Sequence, residues 1–129
     1  MPSIRVLIVE DFEPFRRFIR STLEKRCELE IVCEVSDGLV AVQEAEALQP
    51  DLILLDIGLP TMSGIEAARQ MRTLAKLAKI LFVSQESSND IVREALSLGR
   101  GYVVKARAGN ELLAAVDAVL LGKQFIGIR

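Results

Sequence analysis

Five short apolar runs alternate along the chain with longer segments in which apolar residues recur at three-and-four spacing. The runs are rich in branched side chains and show almost no polar alternation, which is typical of strands buried on both faces of a parallel sheet. The segments between them have the spacing of amphipathic helices. The predicted strands cover residues 4–9, 29–35, 52–55, 80–83 and 102–104.

Local signals at the segment ends agree with five helices. Pro14 suits the first turn of helix one, Ser63 has capping-box spacing to Glu66 before helix three, and Ser88 or Asn89 can cap helix four. Strict alternation of strands and helices implies right-handed crossovers. The pattern therefore predicts an open, doubly wound α/β domain with a mostly parallel five-stranded sheet. We expect Gly99 and Gly122 to end helices four and five, which makes residues 1–121 the domain and residues 122–129 a tail or a linker.

Composition narrows the setting without changing the fold. The chain has 129 residues, of which 50% are hydrophobic and 26% charged, a profile typical of one globular domain. A net charge of -2 and a pI near 5.2 argue against direct binding of nucleic acid. No leader opens the chain and no apolar stretch is long enough to cross a bilayer, so we expect a cytoplasmic protein with no membrane contact.

The chain contains no histidine, which excludes imidazole bases, imidazole metal ligands and Ser-His or Cys-His nucleophile pairs. Cys27 and Cys33 lie six residues apart and lack the spacing of a zinc or redox motif. We expect both to be buried, apolar thiols in a reducing compartment. The remaining chemistry belongs to carboxylates, hydroxyls, amines and the backbone.

Polar residues follow four of the five predicted strands. Glu10 and Asp11 come after strand one, Asp56 after strand three, Ser84 after strand four and Lys105 after strand five. Ligands of open parallel sheets bind beyond the carboxyl ends of the strands. Any one of these residues alone is typical of a cap, a turn or a solvated surface, but their joint placement predicts a site.

Three carboxylates in one place repel one another unless a cation compensates. An oxygen-only set of ligands favours a hard divalent ion such as Mg²⁺. Together with Lys105 and Ser84, such an ion can stabilise a transferring phosphoryl group. Aspartate can form an acyl phosphate, and Asp56 is the best candidate nucleophile because it ends the most apolar, central strand.

Several motifs coincide with these positions, and taken jointly they are specific. Through them the chain resembles, over nearly its whole length, the receiver domain of bacterial two-component response regulators. That resemblance implies a flavodoxin-like fold with strand order 2-1-3-4-5. The motifs are Val9-Glu10-Asp11, Asp56-Ile57-Gly58-Leu59-Pro60 with Met62 and Gly64, Ser84, and Gly101-Tyr102-Val103-Val104-Lys105.

The resemblance assigns a role to each matching residue. Asp56 matches the phosphoacceptor, and Lys105 matches the lysine that pairs with the phosphoryl oxygens. Ser84 matches the switch hydroxyl, and Tyr102 the aromatic residue whose inward rotation follows that hydroxyl. The metal ligands match as well: Asp11 matches the acid that binds Mg²⁺ directly, Glu10 its neighbour that acts through a water, and Gly58 the position whose backbone carbonyl completes the ligands beside Asp56.

The resemblance also implies partners. The phosphoryl donor is a phosphohistidine of a sensor histidine kinase, and the fourth helix, fifth strand and fifth helix form the surface for an output module or a homodimer. Phosphotransfer and dephosphorylation are self-catalysed, so we expect no external substrate and no enzyme in the ordinary sense. On helix one, Phe12, Phe15 and Phe18 are explained either as core residues beside solvated arginines, or as an anchor for the kinase.

The sequence departs from the family pattern in three places, and the shortened loop before Tyr102 leaves one alternative open, a phosphorylation-independent interaction scaffold. Ala106 replaces the proline common after the lysine, so we expect a trans peptide there. The turn Gly99-Arg100-Gly101 is one residue short, which predicts a displacement of Lys105 or Tyr102. Gln85 is bulky and narrows access to the phosphoacceptor.

Two rival classes share parts of the pattern. A flavodoxin needs a phosphate-binding loop after strand one, where this chain places acidic residues that repel FMN. A haloacid dehalogenase-type hydrolase needs a second Asp at the position that Gly58 occupies. The tail from Gly122 to Arg129 is apolar at Phe125, Ile126 and Ile128, and it either packs back on the domain or leads to another module.

Overall fold

The computed structural model describes residues 3–127. A short 3₁₀ helix, Lys105–Arg107, joins the fifth strand to the last α-helix. The strands are β1 (Ile4–Val9), β2 (Leu29–Val35), β3 (Leu52–Leu55), β4 (Lys79–Ser84), β5 (Gly101–Val104) and β6 (Phe125–Ile126). The α-helices are α1 (Glu13–Leu23), α2 (Gly38–Leu48), α3 (Gly64–Leu74), α4 (Asn89–Leu98) and α5 (Ala108–Leu120).

All strands belong to one parallel sheet with the order β2-β1-β3-β4-β5-β6. The predicted doubly wound architecture and the order of the first five strands are confirmed, and β6 is an addition. The order reverses between β1 and β3, so the loops after these two strands diverge and leave a crevice at the carboxyl edge.

Helices cover the sheet on both faces, which explains why the strands are apolar throughout. Along β1, Leu7 and Val9 face the layer formed by α2, α3 and α4, whereas Val6 and Ile8 face α1 and α5. Phe82 of β4 belongs to the first layer. Since burying one large apolar side chain contributes about 1.5–3 kcal/mol, both faces hold the sheet rigid beneath the carboxyl edge.

Short polar side chains start the helices that flank this edge. Ser63 Oγ accepts a hydrogen bond from Glu66 N at 3.2 Å, as its spacing predicts. Ser88, rather than Asn89, caps α4, and Asp37 Oδ1 accepts from Val40 N at 2.9 Å to cap α2. These caps satisfy backbone donors that a helix start leaves free, and they fix where each helix begins.

The segment after α5 packs back on the domain. Gly122, with φ of +83°, reverses the chain, and β6 then runs beside β5. Phe125 N donates to Arg100 O at 3.1 Å and Gly127 N to Tyr102 O at 2.9 Å. Of the two alternatives for the tail, residues 125–127 take the first, while Ile128 lies outside the described residues.

The prediction that both cysteines are buried is wrong for Cys27. Cys27 lies in the turn after α1 and is exposed, because that turn leaves the helix face that packs on the sheet. Cys33 on β2 is half-buried, and burial raises the pKa of its thiol. Both thiols are unpaired.

Among the helices in residues 3–127, none combines the length and the apolar character that crossing a membrane requires.

Candidate functional site

Three carboxylates, a hydroxyl and an ammonium group meet beyond the carboxyl ends of the strands. Glu10 and Asp11 follow β1, Asp56 follows β3, Ser84 ends β4 and Lys105 follows β5. The three carboxylate groups each place an oxygen within 4.8 Å of the other two. The structure therefore brings together the residues that the sequence places at separate strand ends.

Lys105 is the cation that holds this cluster. Its Nζ lies 2.9 Å from Asp56 Oδ2 and 2.9 Å from both carboxylate oxygens of Glu10. The same Nζ lies 4.9 Å from the centre of the Phe15 ring, within the range of a cation–π contact. With Asp11 nearby, three negative charges face one positive charge, which leaves the cluster short of positive charge.

Burial and pairing act in opposite directions on these groups. Burial raises the pKa of Glu10 and outweighs its hydrogen bond with Lys105. Burial alone would lower the pKa of Lys105, but its hydrogen bonds and charge interactions with Asp56 and Glu10 outweigh that effect and raise it. Lys105 is therefore a fixed positive charge at neutral pH.

The two oxygens of Asp56 have different partners. Oδ1 accepts a hydrogen bond from Ile57 N at 2.7 Å, and Oδ2 accepts from Lys105. The Asp56 backbone is tied to β1 through a bond from its N to Val9 O at 3.1 Å. A Cβ at Gly64 would lie 1.9 Å from Asp56 O, so only glycine permits α3 to start this close. Asp56 is only 5% exposed to solvent, and it nevertheless lines an open cleft.

The donor set fits a hard divalent cation. Oε1 of Glu10 is buried and forms an ion pair with Lys105 Nζ at 2.9 Å but accepts no other hydrogen bond, so it can still accept one from a further ligand. Asp11 is exposed at the mouth of the site, and Gly58 lines the same cleft. Oxygen donors without nitrogen or sulfur, near excess negative charge, match the preference of Mg²⁺.

The cleft measures about 630 Å³, and its remaining walls come from loops. Gln85 lines it beside Ser84, the position from which we expected it to narrow access. Phe12, 60% exposed, lines the cleft near Asp11, whereas Phe15 and Phe18 are half-buried against the core. Phe15 and Phe18 therefore fit the core explanation, and Phe12 is the exposed ring of the three.

The backbone of one residue, Glu86, joins the two residues implied to form a switch. Ser84 Oγ accepts a hydrogen bond from Glu86 N at 3.2 Å, and Tyr102 OH donates one to Glu86 O at 2.7 Å. Tyr102 is fully buried, stacks on Phe82 with ring centres 6.2 Å apart, and has a pKa raised by burial. Its ring is already inward, and Glu86 links it to the hydroxyl beside the acids.

With this geometry established, comparison with known proteins decides the family. The model for the response regulator receiver domain matches residues 6–117. The chain belongs to the response regulator receiver domain family. Membership favours the phosphoacceptor class over the flavodoxin, hydrolase and scaffold alternatives.

Relatives of this receiver domain are themselves transcriptional regulators and response regulators. The transcriptional regulatory protein DegU of Brevibacillus brevis is 32% identical over 125 residues, which cover 96% of this chain and 53% of DegU. The response regulator UvrY of Escherichia coli O6:H1 is 32% identical over 124 residues, covering 95% and 57%. The chain thus spans about half the length of the curated relatives it matches.

Solved receiver structures have the same fold. A LuxR-family two-component response regulator from Aurantimonas sp. SI85-9A1 superposes with a TM-score of 0.89 at 29% identity, covering 95% of this chain and 89% of that one. The signal receiver domain of NarL from Mycobacterium tuberculosis gives 0.88 at 28% identity, covering 95% and 100%. The predicted flavodoxin-like fold is confirmed.

The departures from the receiver pattern have little effect on the geometry. Although the turn before β5 is short, Lys105 still reaches Asp56 and Glu10, so the short turn does not separate Lys105 from these acids. The neighbouring β4 pairs with β5 over four residues, which sets the register regardless of turn length. Residues 3–127 contain no cis peptide bond, as expected for the Lys105-Ala106 link.

Sequence reasoning missed three contributors to the site. It did not find the peptide of Glu86 or the ring of Phe15 above Lys105, and it assigned Arg16 to a solvated face. Arg16 instead donates to Glu10 O at 2.9 Å and lies 3.4 Å from Glu34 of β2. The sequence signal for this contact is an arginine at the end of the first turn of α1, shortly after the acidic pair Glu10-Asp11.

Proposed function

We propose that Asp56 accepts a phosphoryl group from a phosphohistidine of a sensor histidine kinase in a Mg²⁺-dependent reaction. The observation that carries this proposal is the position of Lys105 Nζ, 2.9 Å from both Asp56 and Glu10 inside an otherwise acidic cluster. A carboxylate so placed has a fixed cation beside it and an open cleft in front of it.

The transfer exchanges one bond for another. A carboxylate oxygen of Asp56 attacks the phosphorus, an O–P bond forms as the N–P bond breaks, and the leaving imidazole takes up a proton from water. Lys105 balances the charge on the phosphoryl oxygens, and Ile57 N–H orients the carboxylate. Asp11, Asp56 and the Gly58 carbonyl would hold Mg²⁺ directly and Glu10 through a water, and the bound ion would neutralise charge on the transferring group.

Phosphorylation would then act on the loop after β4. The new group adds about 1.5–2 negative charges and strong acceptor oxygens within reach of Ser84. When the Ser84 hydroxyl turns to donate to the phosphoryl group, Glu86 N loses its acceptor, and the backbone carbonyl of the same residue is the acceptor for Tyr102. Through Glu86 and Tyr102, the rearrangement of this loop would reach the surface formed by α4, β5 and α5. The strand β6 lies beside β5 at this surface.

Residues 1–121 would act as the signalling domain and residues 122–129 as its tail. We assign an output module or a homodimer to the α4, β5 and α5 surface, a cytoplasmic setting, and no turnover of an external substrate. The acidic net charge leaves any nucleic-acid contact to a separate module. Phe12, exposed at the cleft, is the apolar contact for the kinase.

The test uses beryllofluoride, a mimic of the phosphoryl group, with Mg²⁺. Amide spectra of the wild type should shift at Ser84, Glu86 and Tyr102, whereas Asp56→Asn should not respond. Asp117→Asn, which alters an exposed carboxylate paired with Arg26, serves as the matched control and should respond like the wild type. Equal shifts in wild type and Asp56→Asn would refute the proposal.

A further inference from the structure

A second cavity, of about 730 Å³, lies at the opposite, amino edge of the sheet. It lies between the ends of α3 and α4 and the first residues of β4 and β5, and we call it the amino-edge cavity. No Asp or Glu lines it. Four cations do: Arg72, Lys76, Lys79 and Arg100.

These four cations differ from most of the other basic residues of the domain. Many of the others pair with acids, such as Arg26 with Asp117 at 2.9 Å and Arg16 with Glu34. Within residues 3–127, none of the four cations that line the cavity has a carboxylate within ion-pair distance. A chain of net charge -2 has therefore gathered unpaired positive charge at one place.

Helix ends account for part of this charge. Arg72 donates to Ser97 O at 3.3 Å near the end of α4, and Lys79 donates to Leu120 O at 3.2 Å at the end of α5. Each helix C-terminus carries roughly half a negative charge, so the ends of α3, α4 and α5 supply about -1.5 against four positive charges. The side chains of Lys76 and Arg100 contact no acceptor in the described chain, and their charge is the surplus.

Most of the other residues in the wall are apolar, and Ser97 and Gln124 are its uncharged polar members. Leu77 is 89% exposed at the rim, and Ile80, Leu96 and Leu98 line the interior. A concave site of roughly 300–1,000 Å³ with an apolar wall and a few convergent polar groups suits a small molecule. Ammonium and guanidinium groups are the side chains that bind phosphate oxygens, and the guanidinium does so in a bidentate manner.

We propose that the amino-edge cavity binds a nucleoside phosphate, with its phosphates on Lys76 and Arg100 and its base against Leu77 and Leu98. An inorganic anion would use only the cations and leave the leucines exposed. The cavity is separate from the phosphoacceptor site, because β4 and β5 run their full length between the two edges. Occupancy of one site therefore does not block the other.

Calorimetric titration of the whole chain with ADP, pyrophosphate and adenosine tests this proposal. Mg²⁺ is omitted so that no phosphate is held at the acidic cluster. ADP should bind more tightly than pyrophosphate, adenosine should bind least, and ADP affinity should fall as salt rises. Amide shifts on ADP addition should centre on Lys76, Lys79 and Arg100.

Single substitutions then assign the contacts. Lys76→Ala and Arg100→Ala should each weaken ADP binding about tenfold, the cost of one charge-assisted hydrogen bond. Lys76→Gln keeps the length of the side chain and should weaken binding to a similar extent. Lys25→Ala removes an exposed, unpaired lysine elsewhere and should leave affinity unchanged.

Three results would overturn the proposal. These are the absence of measurable ADP binding at low salt, shifts centred on Asp56 rather than on Lys79, and an equal loss of affinity in Lys25→Ala. If a polyglutamate peptide binds and ADP does not, the cavity is a docking site for an acidic protein segment instead.

Discussion

The two edges of the sheet handle charge in opposite ways. At the carboxyl edge, Glu10 and Asp56 are buried, and both contact Lys105 at hydrogen-bond distance. At the amino edge, Lys76 and Arg100 are exposed and make no ion pair within the described chain. Buried charges are costly unless paired, so the first edge is held in one geometry, whereas the second stays solvated until a ligand covers it.

This difference predicts the largest effect at Lys105. Lys105→Met leaves two buried carboxylates without their cation, so the free energy of unfolding without Mg²⁺ should drop by about 2–3 kcal/mol. The rate of phosphoryl acceptance from acetyl phosphate should fall about 100-fold or more, since one fixed charge is lost. Urea unfolding and single-turnover kinetics measure the two effects.

Millimolar Mg²⁺ should restore part of the stability of Lys105→Met, because it supplies positive charge at the same cluster. Lys123→Met, at an exposed position, is the control and should behave like the wild type. If both variants unfold at the wild-type urea midpoint, the carboxyl edge does not depend on its lysine.

A smaller effect is expected where the carboxyl edge meets the loop after β4. Tyr102→Phe removes the donor to Glu86 O and should cost about 1 kcal/mol of unfolding free energy. Phosphoryl acceptance should be unchanged, while the beryllofluoride-induced shifts in α4 should shrink. Full-size shifts in Tyr102→Phe would show that the Glu86 backbone does not carry the signal.

Asp37, at the same edge, is stabilised by N–H and O–H donors instead of a cation. Hydrogen bonds from Val40 N and Thr61 hold the pKa of Asp37 below its usual value. Its stabilising contribution is therefore present above pH 3.8 and is lost as the pH falls through the lowered pKa. Asp37→Ala should lower the melting temperature at pH 7 and should matter less as the pH drops below that range. A pH-independent difference between the two proteins would contradict this assignment.

The amino edge should give the smallest effect on stability. Lys76→Met and Arg100→Met should each change the free energy of unfolding by less than about 0.5 kcal/mol, because exposed cations without partners contribute little. Urea midpoints measured beside those of Lys105→Met make the comparison direct. A loss as large as that of Lys105→Met would mean that these cations have structural partners.

Much of the site at the carboxyl edge could be predicted because it consists of acidic, hydroxyl and amine side chains that directly follow the strands in the sequence. Once five apolar runs define parallel strands, topology alone places Glu10, Asp56 and Lys105 together. The Glu86 contact escaped prediction because the backbone N–H and C=O of Glu86, and not its side chain, make the two bonds. Backbone atoms are the same in every residue and leave no signal in composition.

Two other features could not be predicted, one because its strand is very short and one because its residues are far apart in the sequence. β6 spans two residues, too few for any periodicity, and only its contact with β5 defines it. The amino-edge cations lie at scattered positions between 72 and 100, each unremarkable in its own segment. Their convergence follows from the packing of α3 and α4 on β4, which the sequence pattern describes only in outline.

The most direct test of the central claim is mass spectrometry of the protein after incubation with acetyl phosphate and Mg²⁺. We expect one phosphoryl group per chain, located on Asp56, absent from Asp56→Asn and absent when Mg²⁺ is chelated. A phosphoryl group on any other residue, or an unmodified wild type under conditions that phosphorylate a known receiver domain, would contradict it.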